Sequence, residues 1–140
     1  MAEYRANALQ SVDENQNILF TDATACGSNS IYHRDGSGLI TLRGITNQCR
    51  ARFKATFGAN VAIPTGGTVG PISVAISVNG EPIDVSTMIT TPAAVEEFNN
   101  INRSIYLDVP AGCCLQLSVK NTSDQTISVE NANLIIERIA

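Results

Sequence analysis

Arg50-Ala51-Arg52-Phe53-Lys54-Ala55-Thr56-Phe57 is polar and apolar by turns over eight residues. Side chains on a strand point alternately to its two faces. This stretch therefore sends Ala51, Phe53, Ala55 and Phe57 to one side and Arg50, Arg52, Lys54 and Thr56 to the other, which is a half-buried strand. The pattern recurs outward from it. Val74, Ile76 and Val78 alternate with Ser73, Ala75 and Ser77; Ile105, Leu107 and Val109 with Ser104, Tyr106 and Asp108; Leu115, Leu117 and Val119 with Gln116, Ser118 and Lys120. Gln16–Phe20, Ser30–Arg34 and Leu39–Arg43 add shorter extended runs. Between the runs lie Asp35-Gly36-Ser37-Gly38, Thr65-Gly66-Gly67-Thr68, Asn79-Gly80 and Pro110-Ala111-Gly112. Asn79-Gly80 suits a type I′ hairpin turn, because both residues tolerate positive φ. Many short strands with turn chemistry between them predict an all-β antiparallel sandwich or barrel.

Three segments need separate argument. Leu134-Ile135-Ile136 is apolar on both faces, which predicts a central strand or one covered by another subunit. Leu134 and Ile136 are thus candidate interface residues. In Pro92–Asn102, Val95, Phe98 and Ile101 stand at helical spacing, but Asn99, Asn100 and Asn102 are poor helix formers. The segment reads as an extended lead-in to the strand that follows. Residues 1–14 have no clear period, and Tyr4, Leu9 and Val12 are their only sizeable apolar groups. They predict a short N-terminal arm, ordered by whatever it docks on, ahead of a single domain over 15–140. Tyr4 and Arg5, residue types enriched at interfaces, are its candidate docking residues.

The composition agrees with strands and excludes several functions. Val, Ile and Thr make 37 of 140 residues. Charged residues are 16%, against about 25% in ordinary soluble domains, so the surface must be largely neutral; 13 Asn and 12 Thr supply it. A net charge of −4 speaks against nucleic-acid binding by phosphate neutralisation. No apolar run has the roughly 18 residues of a membrane helix. Met1-Ala2-Glu3-Tyr4-Arg5 opens no secretory signal, so free thiols are expected at Cys26, Cys49, Cys113 and Cys114. The expectation is that they serve as small buried hydrophobes, with disulfides formed after release as the alternative. No Cys-x-x-Cys element suggests a metal.

Catalytic constellations are weak. His33, the only histidine, shares five residues with Asp35 and Ser37, too local for a convergent triad; it reads as a strand-end residue beside a turn. Glu96 and Glu97 would diverge on a strand. The Gly-rich pieces lack the Gly-Lys-[Ser/Thr] of a phosphate loop. Arg50, Arg52 and Lys54 form a basic stripe whose neighbouring aromatics lie on the opposite face, unlike a nucleic-acid platform. The stripe is expected to meet acidic groups of a neighbouring subunit or partner. Asn102-Arg103-Ser104 and Asn121-Thr122-Ser123 match the glycosylation pattern and read as chance matches. No catalytic, cofactor or metal residue is predicted, and the chain does not read as an enzyme.

Val78-Asn79-Gly80-Glu81-Pro82-Ile83, Leu107–Leu117 and Ala132–Ala140, with its Ile-Ile-Glu-Arg-Ile-Ala close, resemble the jelly-roll domains of the C1q/tumour-necrosis-factor type. They are particularly similar to the bacterial version that caps the collagen-like exosporium glycoprotein of Bacillus spores. With Asn15–Phe20 and Ile31–Gly38, the chain also looks like small capsid decoration or head-fibre proteins of Firmicutes tailed phages. The resemblance spans roughly residues 15–140. It implies a TNF/C1q-like jelly roll, a homotrimer without catalytic residues, and a place on the virion against the major capsid protein of a phage head. A spore- or cell-surface trimer and a carbohydrate- or receptor-binding module are the alternatives. No Gly-X-Y stalk is present.

Overall fold

The computed structural model describes residues 2–25, 30–33 and 36–139. In chain order the strands are β1 (Ala2–Ala6), β2 (Gln10–Val12), β3 (Asp22–Ala25), β4 (Ile31–His33), β5 (Ile40–Arg43), β6 (Arg50–Ala62), β7 (Ile72–Val78), β8 (Glu81–Pro82), β9 (Met88–Thr90), β10 (Asn99–Pro110), β11 (Cys114–Asn121) and β12 (Ile127–Arg138). One 3-10 turn spans Asp84–Ser86, and the described residues hold no α-helix. Two six-stranded sheets result. The first runs β10-β6-β12-β1-β3, with β2 beside β12; the second runs β4-β5-β11-β7-β8, with β9 beside β7. Every pairing is antiparallel.

The alternation in β6 is realised over its whole length: Ala51, Phe53, Ala55, Phe57, Ala59 and Val61 are buried between the sheets. Phe57 meets Phe20 edge-on, ring centroids 6.3 Å apart. The second sheet closes the core with Ile40, Leu42, Ile72, Ile76 and Leu117, all buried. At about 25 cal/mol per Å² of apolar surface removed from water, such side chains supply most of the stability.

The hairpin at Asn79-Gly80 has the expected form. Both residues have positive φ, 52° and 87°, and two residues connect Val78 to Glu81, which face each other across the ladder. The Asn79 carboxamide oxygen also accepts from Gln116 N at 3.0 Å, fixing the turn to β11. Pro110-Ala111-Gly112 is a turn too, with Cys113 N donating to Pro110 O. It carries the chain from one sheet to the other rather than closing a hairpin, since β10 pairs with β6 and β11 with β5 and β7. The extended lead-in expected over Pro92–Asn102 begins only at Asn99; residues 93–96 bend and turn, with Glu96 at a φ of 60°. Gln16–Phe20, expected as a strand, makes only a bridge at Asn17 opposite Lys120. Its Ile18 N still donates to Val119 O at 2.8 Å, and Ile18 and Phe20 are buried.

The arm expected over residues 1–14 is not what the structure shows. Ala2–Ala6 lies inside the first sheet, between β12 and β3, with Ala2 opposite Ile136 and Ala6 opposite Ala132. Ala2, Tyr4 and Ala6 are buried. Gln10–Val12 continues along the same side of β12. The reason is spatial: without these strands β12 would be left open on one side along most of its length. Asn121 ties the segment down from below. Its buried Nδ2 donates to the carbonyls of Val12, Asp13 and Gln125, and its Oδ1 accepts from Ser123 N. An amide so engaged is closed to glycosylation.

Candidate functional site

The inward face of the first sheet is apolar; its outward face is largely polar. The register sets out its rows. Asn100 stands opposite Asn60, Asn102 opposite Gly58, Ser104 opposite Thr56, Tyr106 opposite Lys54 and Asp108 opposite Arg52. On the other side of β6, Gly58 faces Asn133, Thr56 faces Ile135 and Lys54 faces Glu137.

Amides stitch one half of this face together. Asn102 Nδ2 donates to Asn100 Oδ1, Asn100 Nδ2 to Asn60 Oδ1, and Asn60 Nδ2 to Asn131 Oδ1, each at 3.2 Å. Thr56 and Ser104 share a hydroxyl–hydroxyl hydrogen bond. Asn133 Nδ2 donates to Glu3 Oε2 at 2.8 Å. The strip from Ser104 to Asn100 and from Thr56 to Asn60 thus carries no charge and satisfies many of its own hydrogen bonds. Tyr106 stands at its margin, 66% exposed. Isolated exposed apolar residues need no explanation, but a tyrosine beside a self-satisfied neutral sheet face has the make-up of an interface.

The basic stripe has its acid within the chain. Arg52 donates from Nε and Nη2 to the two oxygens of Asp108 at 2.8 and 3.2 Å, and Arg50 Nε lies 3.4 Å from the same carboxylate. The Arg52 hydrogen bonds hold the Asp108 carboxyl below its usual range, and that contact raises the Arg52 guanidinium. Arg50 and Arg52 thus share one acid within the chain, two cations to one carboxylate. Lys54 stands between Tyr106 and Glu137 in register.

The other expected interface residues are placed differently. Leu134 and Ile136 are fully buried and point into the sandwich; the outward residue of that run is Ile135. Tyr4 is core as well, 3% exposed, its ring centroid 4.5 Å from that of His33. Arg5 does lie on the outward face, half-exposed, 3.7 Å from Glu3. Asn60, Asn100, Asn102 and Asn131 were missed, although their placement in β6 and β10 follows from the alternation that found those strands.

His33 closes β4, and its Nε2–H donates to the Ser37 carbonyl at 2.8 Å. The Ser37 hydroxyl accepts from Leu39 N instead, so imidazole and hydroxyl do not form a nucleophile–base pair. Asp35 and Cys26 lie outside the described residues. Cys49, Cys113 and Cys114 are free and exposed, not the buried hydrophobes expected; all three sit at turns or a strand end. No group of three or more metal-ligating side chains occurs among the described residues.

No family model and no curated protein sequence matches the chain. Solved structures do. The chain is similar to the globular domain of zebrafish complement 1qA protein, with a TM-score of 0.64 at 11% identity over 96% of this chain and 94% of that one. It is similar to the Eiger TNF of S. frugiperda, TM-score 0.71 at 11% identity over 99% and 91%. It is similar to murine APRIL, TM-score 0.66 at 8% identity over 99% and 98%. At such identities the likeness speaks for the fold alone. Two antiparallel six-stranded sheets in this order are a jelly-roll sandwich of the TNF/C1q type.

Proposed function

We propose that the protein is a non-enzymatic structural protein that assembles as a homotrimer and decorates the outside of a tailed-phage capsid, with the major capsid protein as its support. The outward face of the first sheet carries the trimer reading. Burying a polar face costs little only when its groups already have partners, and the Asn60–Asn100–Asn102–Asn131 ladder meets that condition. The same face ends at β10, a twelve-residue edge strand. Long open edges invite pairing or cover in native proteins. Beside that edge, Ile89 is 66% exposed. A face and an adjacent edge that both call for cover suit a rotational, head-to-tail contact that closes after a few copies. The capsid rests on the resemblance of the whole chain, including Asn15–Phe20 and Ile31–Gly38, to small decoration or head-fibre proteins of tailed phages.

Light scattering at micromolar concentration should give three chains, and a monomer would overturn the assembly. Capsids purified from the phage or prophage that carries the gene should retain the protein through a density gradient. Capsids that form and sediment without it, and do not take it up when it is added back, would overturn the decoration role.

A further inference from the structure

Two loops remote in sequence, one carrying Cys49 and the other Cys113 and Cys114, are joined by backbone hydrogen bonds. Cys49 ends the loop between β5 and β6; Cys113 closes the turn between β10 and β11, and Cys114 begins β11. The backbone locks the two loops together. Ala111 N donates to Cys49 O, Gly44 N to Cys113 O and Gly112 N to Gly44 O, at 2.9–3.0 Å. Gly44 lies so close to Pro110 that a Cβ there would meet its carbonyl oxygen at 2.1 Å. The three thiols are therefore carried on a fixed platform, and all are exposed. Cysteine is among the residue types most often buried, and exposed free thiols are a liability unless used.

The surroundings of Cys49 are specific. It lines a surface pocket of about 280 Å³ together with Gln48, Arg50 and Arg52. Two guanidinium groups share one carboxylate there, that of Asp108, so the pocket keeps a positive charge in excess. A reagent that enters it should be anionic and, beside a thiol, should be one that thiols attack.

We propose that the Cys49 pocket is a thiol-modification site that takes an anionic low-molecular-weight disulfide, a peptide disulfide bearing carboxylates. The Cys49 thiolate attacks one sulfur of the disulfide; its S–S bond breaks, a new S–S bond forms to Cys49, and the second half leaves as a thiolate that takes up the proton Cys49 gave to solvent. Arg50 and Arg52 hold the carboxylates of the incoming half.

The test is to incubate the reduced full-length protein with oxidised glutathione or with cystamine, an uncharged-backbone disulfide with cationic ends, and to follow each cysteine by peptide mass mapping. Cys49 should react first. It should react several-fold faster with glutathione disulfide than with cystamine, relative to a free cysteine peptide treated alike, and that preference should shrink as salt is raised. Arg50→Gln should reduce it, slowing the reaction with glutathione disulfide and not that with cystamine. Equal relative rates for the two disulfides would overturn the proposal, as would modification of Cys113 or Cys114 ahead of Cys49. The wild-type comparison stands whether or not the variant folds.

Discussion

The two faces of the β10-β6-β12-β1 sheet are built from the same strands, residue by residue in alternation, yet they are held by different forces. Inward, Phe53, Phe57, Leu134 and Ile136 are excluded from water, and their contribution scales with the area they remove. Outward, Thr56 shares a hydrogen bond with Ser104, and Asn102, Asn100, Asn60 and Asn131 are linked in a chain of them, each worth little while water competes. The inward face makes the fold; the outward face is free to be chosen for what it meets.

The comparison breaks most severely if β1 is removed. Deleting residues 2–6 takes away a strand that lies between β12 and β3 together with buried Tyr4, whose loss alone should cost about 3 kcal/mol. Thermal melting should lose its cooperative transition; a truncated protein that melts like the full chain would restore the independent arm. Phe57→Ala, on the inward face of β6, should cost about 3–5 kcal/mol, read from chemical denaturation. Gly80→Val tests a turn rather than a face. Nothing lies within 4 Å of the Cβ it would add, so the whole cost, about 1–2 kcal/mol, is that of a β-branched residue at positive φ. Thr56→Arg, on the outward face one residue from Phe57, should change the unfolding free energy by no more than about 0.5 kcal/mol while dispersing the proposed trimer in light scattering. An intact trimer would place the contact elsewhere.

Asp108→Asn should have the smallest effect, because exposed ion pairs contribute little. Its pH dependence is nevertheless signed. The Asp108 carboxyl is lowered in the fold by its hydrogen bonds from Arg52, so its contribution is fully present above the unfolded value, about 3.9, and is lost as pH falls through the lowered one. The gap between wild type and variant should therefore close in acid, and a gap that widens there would contradict the assignment.

Much of this architecture is legible from alternation alone. Arg50–Phe57 announces both faces of β6, and Asn79-Gly80 announces its hairpin, because local sterics decide both. Ala2-Glu3-Tyr4-Arg5-Ala6 alternates as well, but over five residues with two alanines, which have little strand preference; only the open flank of β12 makes it a strand. Leu134 and Ile136 were assigned to an interface because the run is apolar on both sides. The β-bulge at Asn131, where φ is 57°, shifts the ladder between Glu130 and Asn133. Inward positions pass from the odd Ile127 and Val129 to the even Ala132, Leu134 and Ile136, and no periodicity counted on one side of a bulge carries across it. The pairing of Arg50 and Arg52 with Asp108 joins residues 56 or more apart, which spacing alone does not reveal.

The position of β12 has a consequence in time. It follows the other described strands in chain order, and it lies between β6 and β1, so that residue 2 waits for residue 136. Until Ile127–Arg138 has left the ribosome, β1 has no neighbour on that side and the long β6 presents a bare edge. Closure must then span almost the entire chain, a topology that folds slowly because loop entropy is lost before contacts compensate. The nascent protein consequently passes through an interval in which unpaired, apolar strands are exposed, and its yield in a cell should depend on temperature and chaperone supply more than its final stability suggests.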